Sequence, residues 1–436
     1  MTGRYQAPVG LPRLLNGIPA HGAMNLADHL SVHGEPPLAR SRRARRSSSA
    51  LIGEIEQAGL HGRGGAAFPT AVKMRGVANA RGRAIVVVNA AESEPASSKD
   101  HLLLTGLPHL VLDGALLAGQ ALAANQIIVC IPESSTAIHS MQIALAERRR
   151  ADAGLPSIEL RPVPERYVSG QESALVNHLG GGPALPTFTP PLPFERGVRR
   201  RPTLVNNTET LAHLALIARH GARWFRELGT TAQPGSTLIT LSGPLAYPGV
   251  YEIEHGASLS SLLDAAGGTT APVRAALFGG YAGAWIDAEQ LRDTALCSEH
   301  LTPHGASLGA GVIALLSEDA CGVAETVTVT RWLAEQSAGQ CGPCVHGLDA
   351  LATALEELAA GAAPRDAKQR IARLASLVRR RGACSHPDGA LRFILSAIET
   401  FATEFADHAR YGPCDGCART RELPLPTTAR AVAAMV

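Results

Sequence analysis

Apolar residues along this chain change their spacing several times, and each change marks a different kind of element. Leu51, Ile52 and Ile55 open a helical spacing that stops at the glycine-rich stretch Gly59 to Gly65. Ile85-Val86-Val87-Val88 is a short, unbroken β-branched run, the pattern of a strand covered on both faces of a parallel sheet. A helical segment near Leu110 to Ala124 leads to a second such strand, Gln126 to Ile131, and then to a second helix, Ser134 to Arg149. The order βαβα predicts an α/β layer, with ligands at the carboxyl ends of its strands.

Glycine and proline then displace any period between Gly180 and Pro193, which predicts a long ordered loop or lid. From Thr237 to about Ala324, short apolar runs punctuated by glycine predict a small strand-rich module. Helical spacing returns from Glu325 to about His408, through Leu348, Leu351, Leu355 and Leu358 and again through Ile371, Leu374 and Leu377, and predicts a helical bundle. At the front, residues 1–50 carry prolines, a basic run (Arg40, Arg42, Arg43, Arg45, Arg46) and Ser47 to Ser49, which is linker chemistry. The predicted division is an extension at 1–50, an α/β domain at 51–235, a strand-rich domain at 236–325, a helical domain at 326–408 and a loosely ordered Cys-x-x-Cys tail at 409–436.

Composition narrows the function classes. The 436 residues are 45% hydrophobic but only 4% aromatic, so the core is aliphatic, and the 18% charged fraction is that of a globular protein. Forty basic against 38 acidic residues leave a net charge of +2, which excludes a bulk field for nucleic acid or acidic membrane. No run reaches the ~18 apolar residues that a membrane span needs. Pro8, Pro12 and Pro19 break any secretory leader, so a cytoplasmic place is expected. Five of the eight cysteines fall between Cys341 and Cys417, a clustering that favours metal over disulfides.

Four motifs carry candidate chemistry. In Gly59 to Thr70, glycines at 62, 64 and 65 allow several N–H groups to face an anion, with charge from Arg63 and Lys73; a plain flexible turn is the competing reading. Asn89 to Pro95 follows the first strand, where Glu92 and Glu94 either accept bonds from sugar hydroxyls or form a solvated acidic pair. Asn206 and Asn207 either cap the next helix or present paired amides to the edge of a heteroaromatic ring. Cys341, Cys344 and Cys384 offer soft ligands for an iron–sulfur cluster or zinc, with a dithiol–disulfide pair as the remaining alternative; a zinc reading adds Cys414 and Cys417.

In this order the motifs resemble the flavin-binding, NADH-oxidising subunit of respiratory NADH dehydrogenase, from about Leu51 to about Phe401. Gly62 to Thr70 resembles that family's Gly-Arg-Gly-Gly-Ala-Gly-Phe-Pro-Thr, with Ala67 for one glycine. Asn89 to Pro95 resembles Asn-x-Asp-Glu-x-Glu-Pro, Tyr167 to Leu175 resembles Tyr-x-x-Gly-Glu-Glu-x-Ala-Leu, and Pro202 to Leu211 resembles Pro-Thr-x-Val-Asn-Asn-x-Glu-Thr-Leu. The resemblance implies an α/β flavin-binding domain, a small β-grasp (ubiquitin-like) domain and a C-terminal helical bundle. It implies FMN contacts from Gly62, Arg63, Gly64, Lys73, Asn89, Glu92, Tyr167, Glu172, Asn206 and Asn207, with Phe68 and Glu94 facing NAD(H). It further implies a [4Fe–4S] cluster on Cys341, Cys344 and Cys384, a partner electron-transfer protein or subunit, and a place peripheral to a membrane complex.

Several positions depart from the family pattern. Ala338 stands where it has a cluster cysteine, and Cys414 or Cys417 is the expected substitute. Ala91 and Gln171 replace two carboxylates, and Thr189 and Leu192 replace a lysine and a phenylalanine that clamp the nucleotide. The expected activity is electron transfer from NADH, or a similar two-electron donor, through FMN to the cluster, with no general acid or base side chain required. The alternative is a flavin- or cluster-binding relay or structural subunit that no longer oxidises NADH.

Overall fold

Four consecutive β-branched residues place β1 (Ile85–Asn89) inside a parallel sheet, where both of its faces are buried. The other strands are β2 (Gln126–Pro132), β3 (Ile158–Val163) and β4 (Thr203–Asn207), in the order β3-β2-β1-β4. Ile85 pairs with both Gln126 and Thr203, so Asn89 ends level with Cys130 on one side and Asn207 on the other. That register brings two motifs more than a hundred residues apart to one sheet edge. The structure is a computed structural model describing residues 10–38, 44–152, 156–291, 294–364 and 366–426.

Around this sheet lie α1 (Leu26–His33), α2 (Ala44–Ala58), α3 (Thr70–Asn79), α4 (Lys99–Gly106), α5 (Pro108–Ala121), α6 (Ala137–Ala151), α7 (Glu172–Leu179), α8 (Pro193–Arg196) and α9 (Thr208–Phe225). The backbones of α5 and α9 meet at Gly114, where an added Cβ would lie 1.9 Å from the Leu211 carbonyl oxygen. Next to it, buried Asp113 accepts from His29 Nε2 at 2.7 Å and pairs with Arg148 at 2.5 Å and with Arg219. Burial pushes this carboxyl up, but the bond from His29 and the two guanidinium groups outweigh it and hold it at about 2.

The next module is a five-stranded mixed sheet, β5 (Ser236–Ser242), β6 (Gly249–Glu254), β7 (Val273–Phe278), β8 (Ala284–Asp287) and β9 (Val312–Ser317), in the order β6-β5-β9-β7-β8. Three short helices, α10 (Leu259–Ala265), α11 (Ala288–Leu291) and α12 (Ser298–Leu301), lie in its connections. Helices α13 (Gly322–Glu335), α14 (Asp349–Ala359), α15 (Ala367–Val378), α16 (His386–Thr400) and α17 (Ala402–Tyr411) complete the fold, with a π-helical turn over Pro343–Leu348.

Several boundaries differ from the sequence expectation. Helix α2 starts at Ala44, inside the stretch read as linker, while Arg40, Arg42 and Arg43 lie outside the described residues. Helix α6 starts at Ala137, because Ser135 turns back to bond the Pro132 carbonyl at 2.9 Å. Strands β3 and β4 escaped the pattern: β3 is an edge strand containing Pro162, and β4 is only five residues with two asparagines. The tail is not loose up to its last described residues, since Leu423 is buried and its N–H, with that of Glu422, bonds the Glu325 carboxylate. Among the described residues no single helix is long and apolar enough to cross a membrane; α4 and α5 together approach that composition but bend by 95°.

Candidate functional site

A cavity of about 580 Å³ opens at the carboxyl edge of the parallel sheet and reaches the helical bundle. Its wall includes Gly62, Arg63, Gly64, Phe68, Lys73, Asn89, Glu92, Glu94, Tyr167, Glu172, Asn206 and Asn207, which are all the flavin and nucleotide positions named from the sequence. Cys384 also lines it, whereas Thr189 and Leu192 do not.

The glycine loop is held by the N–H of Gly62 donating to the Phe68 carbonyl at 2.9 Å. Ala67 sits at φ +48°, a left-handed conformation that costs an L-residue about 1–2 kcal/mol and glycine almost nothing. The backbone at Ala67 is therefore one that the glycine of the family pattern adopts without strain. Gly64 packs so closely on Asn207 that an added Cβ would lie 3.3 Å from the asparagine Cβ.

The charges expected over the loop are deployed differently from the simple reading. Lys73 Nζ donates to Glu172 at 2.8 Å and to the Val205 carbonyl at 3.2 Å, and stands 6.0 Å from the Phe68 ring. The Arg63 guanidinium is buried, donating to the Ser236 carbonyl at 3.1 Å with Glu209 3.8 Å away. Its charge is thus spent inside the protein, and burial lowers its pKa despite Glu209.

The acidic motif also splits. Glu92 accepts from the N–H groups of Asp100 at 3.1 Å and His101 at 2.9 Å, so it neutralises the amino end of α4. It is neither a free acceptor nor a solvated charge. Glu94 accepts from the N–H of Tyr281 at 2.8 Å and from the Tyr167 hydroxyl at 3.2 Å. Burial raises its pKa to about 7 against those bonds. Gly280 makes room for it: at φ +79°, a Cβ there would lie 2.5 Å from the Glu94 carboxyl.

The two asparagines divide the readings that the sequence left open. Asn207 caps α9, its Oδ1 accepting from the Glu209 N–H at 3.0 Å, while its Nδ2 donates to Asp100 at 2.5 Å. Asn206 is buried on the cavity wall and its Nδ2 has no partner among the described residues. A buried donor without an acceptor costs about 1–3 kcal/mol, so this amide fits an acceptor-bearing ring edge in the cavity. Asn89 Nδ2 is already committed to the Gly170 carbonyl at 2.8 Å.

Beneath the site, sequence reasoning missed a buried ion network. Lys99 Nζ lies 2.8 Å from Glu209 and 3.2 Å from Asp100, and Glu209 also accepts from Thr237 Oγ1 at 3.0 Å and the Leu238 N–H at 2.9 Å. Burial pushes Glu209 up, but Lys99, His213 and Arg63 bring it well below the usual carboxylate range. Asp100, the more weakly paired of the two, is raised by burial. Lys99-Asp100 directly before an apolar helical run was the visible signal. His386 and Arg392, from α16, also line the cavity and carried no motif.

Cys341, Cys344 and Cys384 are electrostatic neighbours, and burial pushes Cys344 up to about 12. By donor chemistry these three thiols suit an iron–sulfur cluster. Ala338 contributes only its backbone N–H, bonded to the Cys344 thiol. Cys414 and Cys417 do not supply the fourth ligand. They stand with Cys321 and His408, and His408 bonds Ala359 at the end of α14 opposite the Cys344 turn, a helix length of roughly 16 Å away.

Comparison with known proteins decides the family. Residues 55–216 match the Nuo51 FMN-binding domain, residues 324–408 the NADH-ubiquinone oxidoreductase-F iron–sulfur binding region, and residues 238–280 the SLBB domain. The F subunit of NADH-quinone oxidoreductase from Streptomyces coelicolor is 32% identical over 82% of this chain and 82% of its own length. The second such F subunit of Rhizobium meliloti is 30% identical over 84% of this chain and 90% of its own. This chain belongs to the family of NADH-quinone oxidoreductase F subunits. Its members are NADH-dehydrogenase-like electron-transfer oxidoreductases built around FMN and an iron–sulfur cluster, and this chain is one of them. A similar solved structure is an NAD+-reducing [NiFe]-hydrogenase in the H2-reduced state, 31% identical with a TM-score of 0.79 over 85% of this chain. The chain spans 64% of that hydrogenase chain. The NADP-reducing hydrogenase subunit HndC of Solidesulfovibrio fructosivorans is 29% identical over 89% of this chain and 82% of its own length.

Proposed function

We propose that the cavity holds FMN against the glycine loop and a nicotinamide nucleotide against Phe68 and Glu94, and that electrons leave on the Cys384 side. One observation carries this reading: a single cavity wall runs from Gly62, through the unpartnered Asn206 amide, to Cys384. Bound FMN would supply the exchange between two-electron and one-electron chemistry. The residues bind and orient. Loop N–H groups face the phosphate, Lys73, paired with Glu172, stands on the same wall, Asn206 donates to the ring edge, and Phe68, 37% exposed, offers a stacking face. Glu94 gives the inner wall a carboxyl that changes charge near neutrality, and Cys341, Cys344 and Cys384 would hold the cluster.

In this reading residues 51–235 form the FMN domain, 236–325 the β-grasp module, 326–408 the cluster domain and 409–436 the tail. Electrons pass to a partner electron-transfer protein, and the chain works in the cytoplasm, peripheral to a membrane complex. Thr189 and Leu192, away from the cavity wall, favour a second reading, a relay subunit that binds flavin without oxidising NADH. Anaerobic absorbance spectra before and after NADH separate the two. Bleaching of the flavin band supports the dehydrogenase, and flavin that stays oxidised in excess NADH supports the relay.

A further inference from the structure

Far from the cavity, four soft donors converge where the tail meets the helical bundle. Cys321 precedes α13, His408 lies in the last turn of α17, and Cys414 and Cys417 belong to the tail. Cys321 Sγ lies 3.5 Å from Cys417 Sγ and 3.6 Å from His408 Nε2. Cys417 Sγ lies 3.9 Å from both Cys414 Sγ and His408 Nε2, and all four donor atoms fall within 4.8 Å of one another. These separations exceed the ~2.05 Å of a disulfide. A tetrahedral zinc with bonds of ~2.3 Å to sulfur and ~2.05 Å to nitrogen sets S···S near ~3.8 Å and S···N near ~3.6 Å. The observed values scatter around those two numbers.

The surroundings are those of ligands held in place. His408 Nδ1 donates to the Ala359 carbonyl at 3.1 Å, which fixes the tautomer and turns the Nε2 lone pair toward the thiols. Cys321 Sγ accepts the Ala324 N–H at 3.2 Å at the amino end of α13, which fixes the direction of this sulfur. The Cys417 N–H bonds the Cys414 carbonyl at 3.0 Å, closing the turn that aims both sulfurs inward. Within that turn a glycine fits best, since a Cβ on Gly416 would lie 3.2 Å from the Cys321 nitrogen and 3.1 Å from the Asp319 carbonyl oxygen. Cys321 and His408 are almost wholly buried, while Cys414 is exposed, so the site closes from the tail side.

We propose that Cys321, His408, Cys414 and Cys417 form a closed structural zinc site that clasps the tail to the helical bundle. The ligand set is three thiolates and one imidazole with no position left for water, which marks it as structural rather than catalytic. It is separate from the three-cysteine cluster site and independent of the flavin reading.

The test uses the full chain, with flavin and iron in place, and elemental analysis. One zinc per chain is expected alongside the cluster iron. Cys414→Ser with Cys417→Ser should abolish the zinc and leave iron, sulfide and flavin absorbance unchanged. Cobalt exchanged into the wild-type chain should give the intense visible bands of a tetrahedral ion with thiolate charge transfer, which keeps the proposal testable where the double variant does not fold. Zinc retained by the double variant, iron in this site in place of zinc, or a Cys414–Cys417 disulfide in the mass of the purified chain would each overturn it.

Discussion

The backbone N–H of Tyr281 donates to Glu94 across 187 positions of sequence, at 2.8 Å. The turn after β7 in the strand-rich module thereby fixes the carboxyl that lines the cavity. The same Tyr281 packs edge-on against Trp332 of α13 with ring centroids 5.8 Å apart, so three modules share this residue.

That environment makes a pH prediction. Glu94 is raised from 4.5 to about 7 by burial, so the folded chain holds a proton that the unfolded chain releases between those values. Stability conferred by the site is full below about pH 4.5 and declines as pH rises through about 7. Glu94→Gln removes this pH dependence, worth roughly 3 kcal/mol over the window. Melting temperatures measured from about pH 5 to about pH 8 should fall more steeply for the wild type than for E94Q; parallel curves would remove Glu94 as the titrating group.

Ala67→Gly should stabilise the chain slightly. Relief of the left-handed φ of +48° is worth about 1–2 kcal/mol, and the extra freedom of glycine in the unfolded chain takes back about 0.4–1 kcal/mol. A net rise in melting temperature is the expected outcome, and a fall would show that Ala67 makes contacts that outweigh the strain.

Asp113→Asn should be costly. It leaves Arg148 and Arg219 without their buried counter-charge, at about 3–5 kcal/mol. Since Asp113 is depressed to about 2, its contribution is present above about pH 4 and is lost as pH falls toward 2. Acid unfolding followed by circular dichroism should therefore begin at higher pH in the variant, and an unchanged acid midpoint would contradict the ion-pair account.

Cys341→Ala should remove cluster iron and sulfide while flavin absorbance persists, because the glycine loop and the turn that carries Cys341 sit on different modules. Full iron and sulfide content in that variant would refute Cys341 as a ligand.

Much of the fold was legible because its strongest signals are local. The unbroken run at Ile85 to Val88 could only be a strand buried on both faces, and the leucines from Leu348 to Leu358 could only form one helical stripe. The cavity residues were legible through resemblance, as ordered motifs. What each does was not. Glu92 turned out to serve a helix end and Arg63 an internal ion pair, because their partners His101 and Glu209 are fixed by chain packing and not by spacing. The fate of Cys414 and Cys417 was likewise hidden, since Cys321 lies far upstream and enters their company only through the docking of α13 on α17.

The tail has a consequence for the order in which the protein can mature. Glu94 reaches its final surroundings only after Tyr281 is in place, and the Tyr281 hydroxyl in turn bonds the Pro424 carbonyl. A chain growing from its amino end can fold the parallel sheet well before residue 424 has been made. The bond that secures Tyr281 can therefore form only after synthesis has passed every residue that lines the cavity, so cofactor loading during translation would precede it.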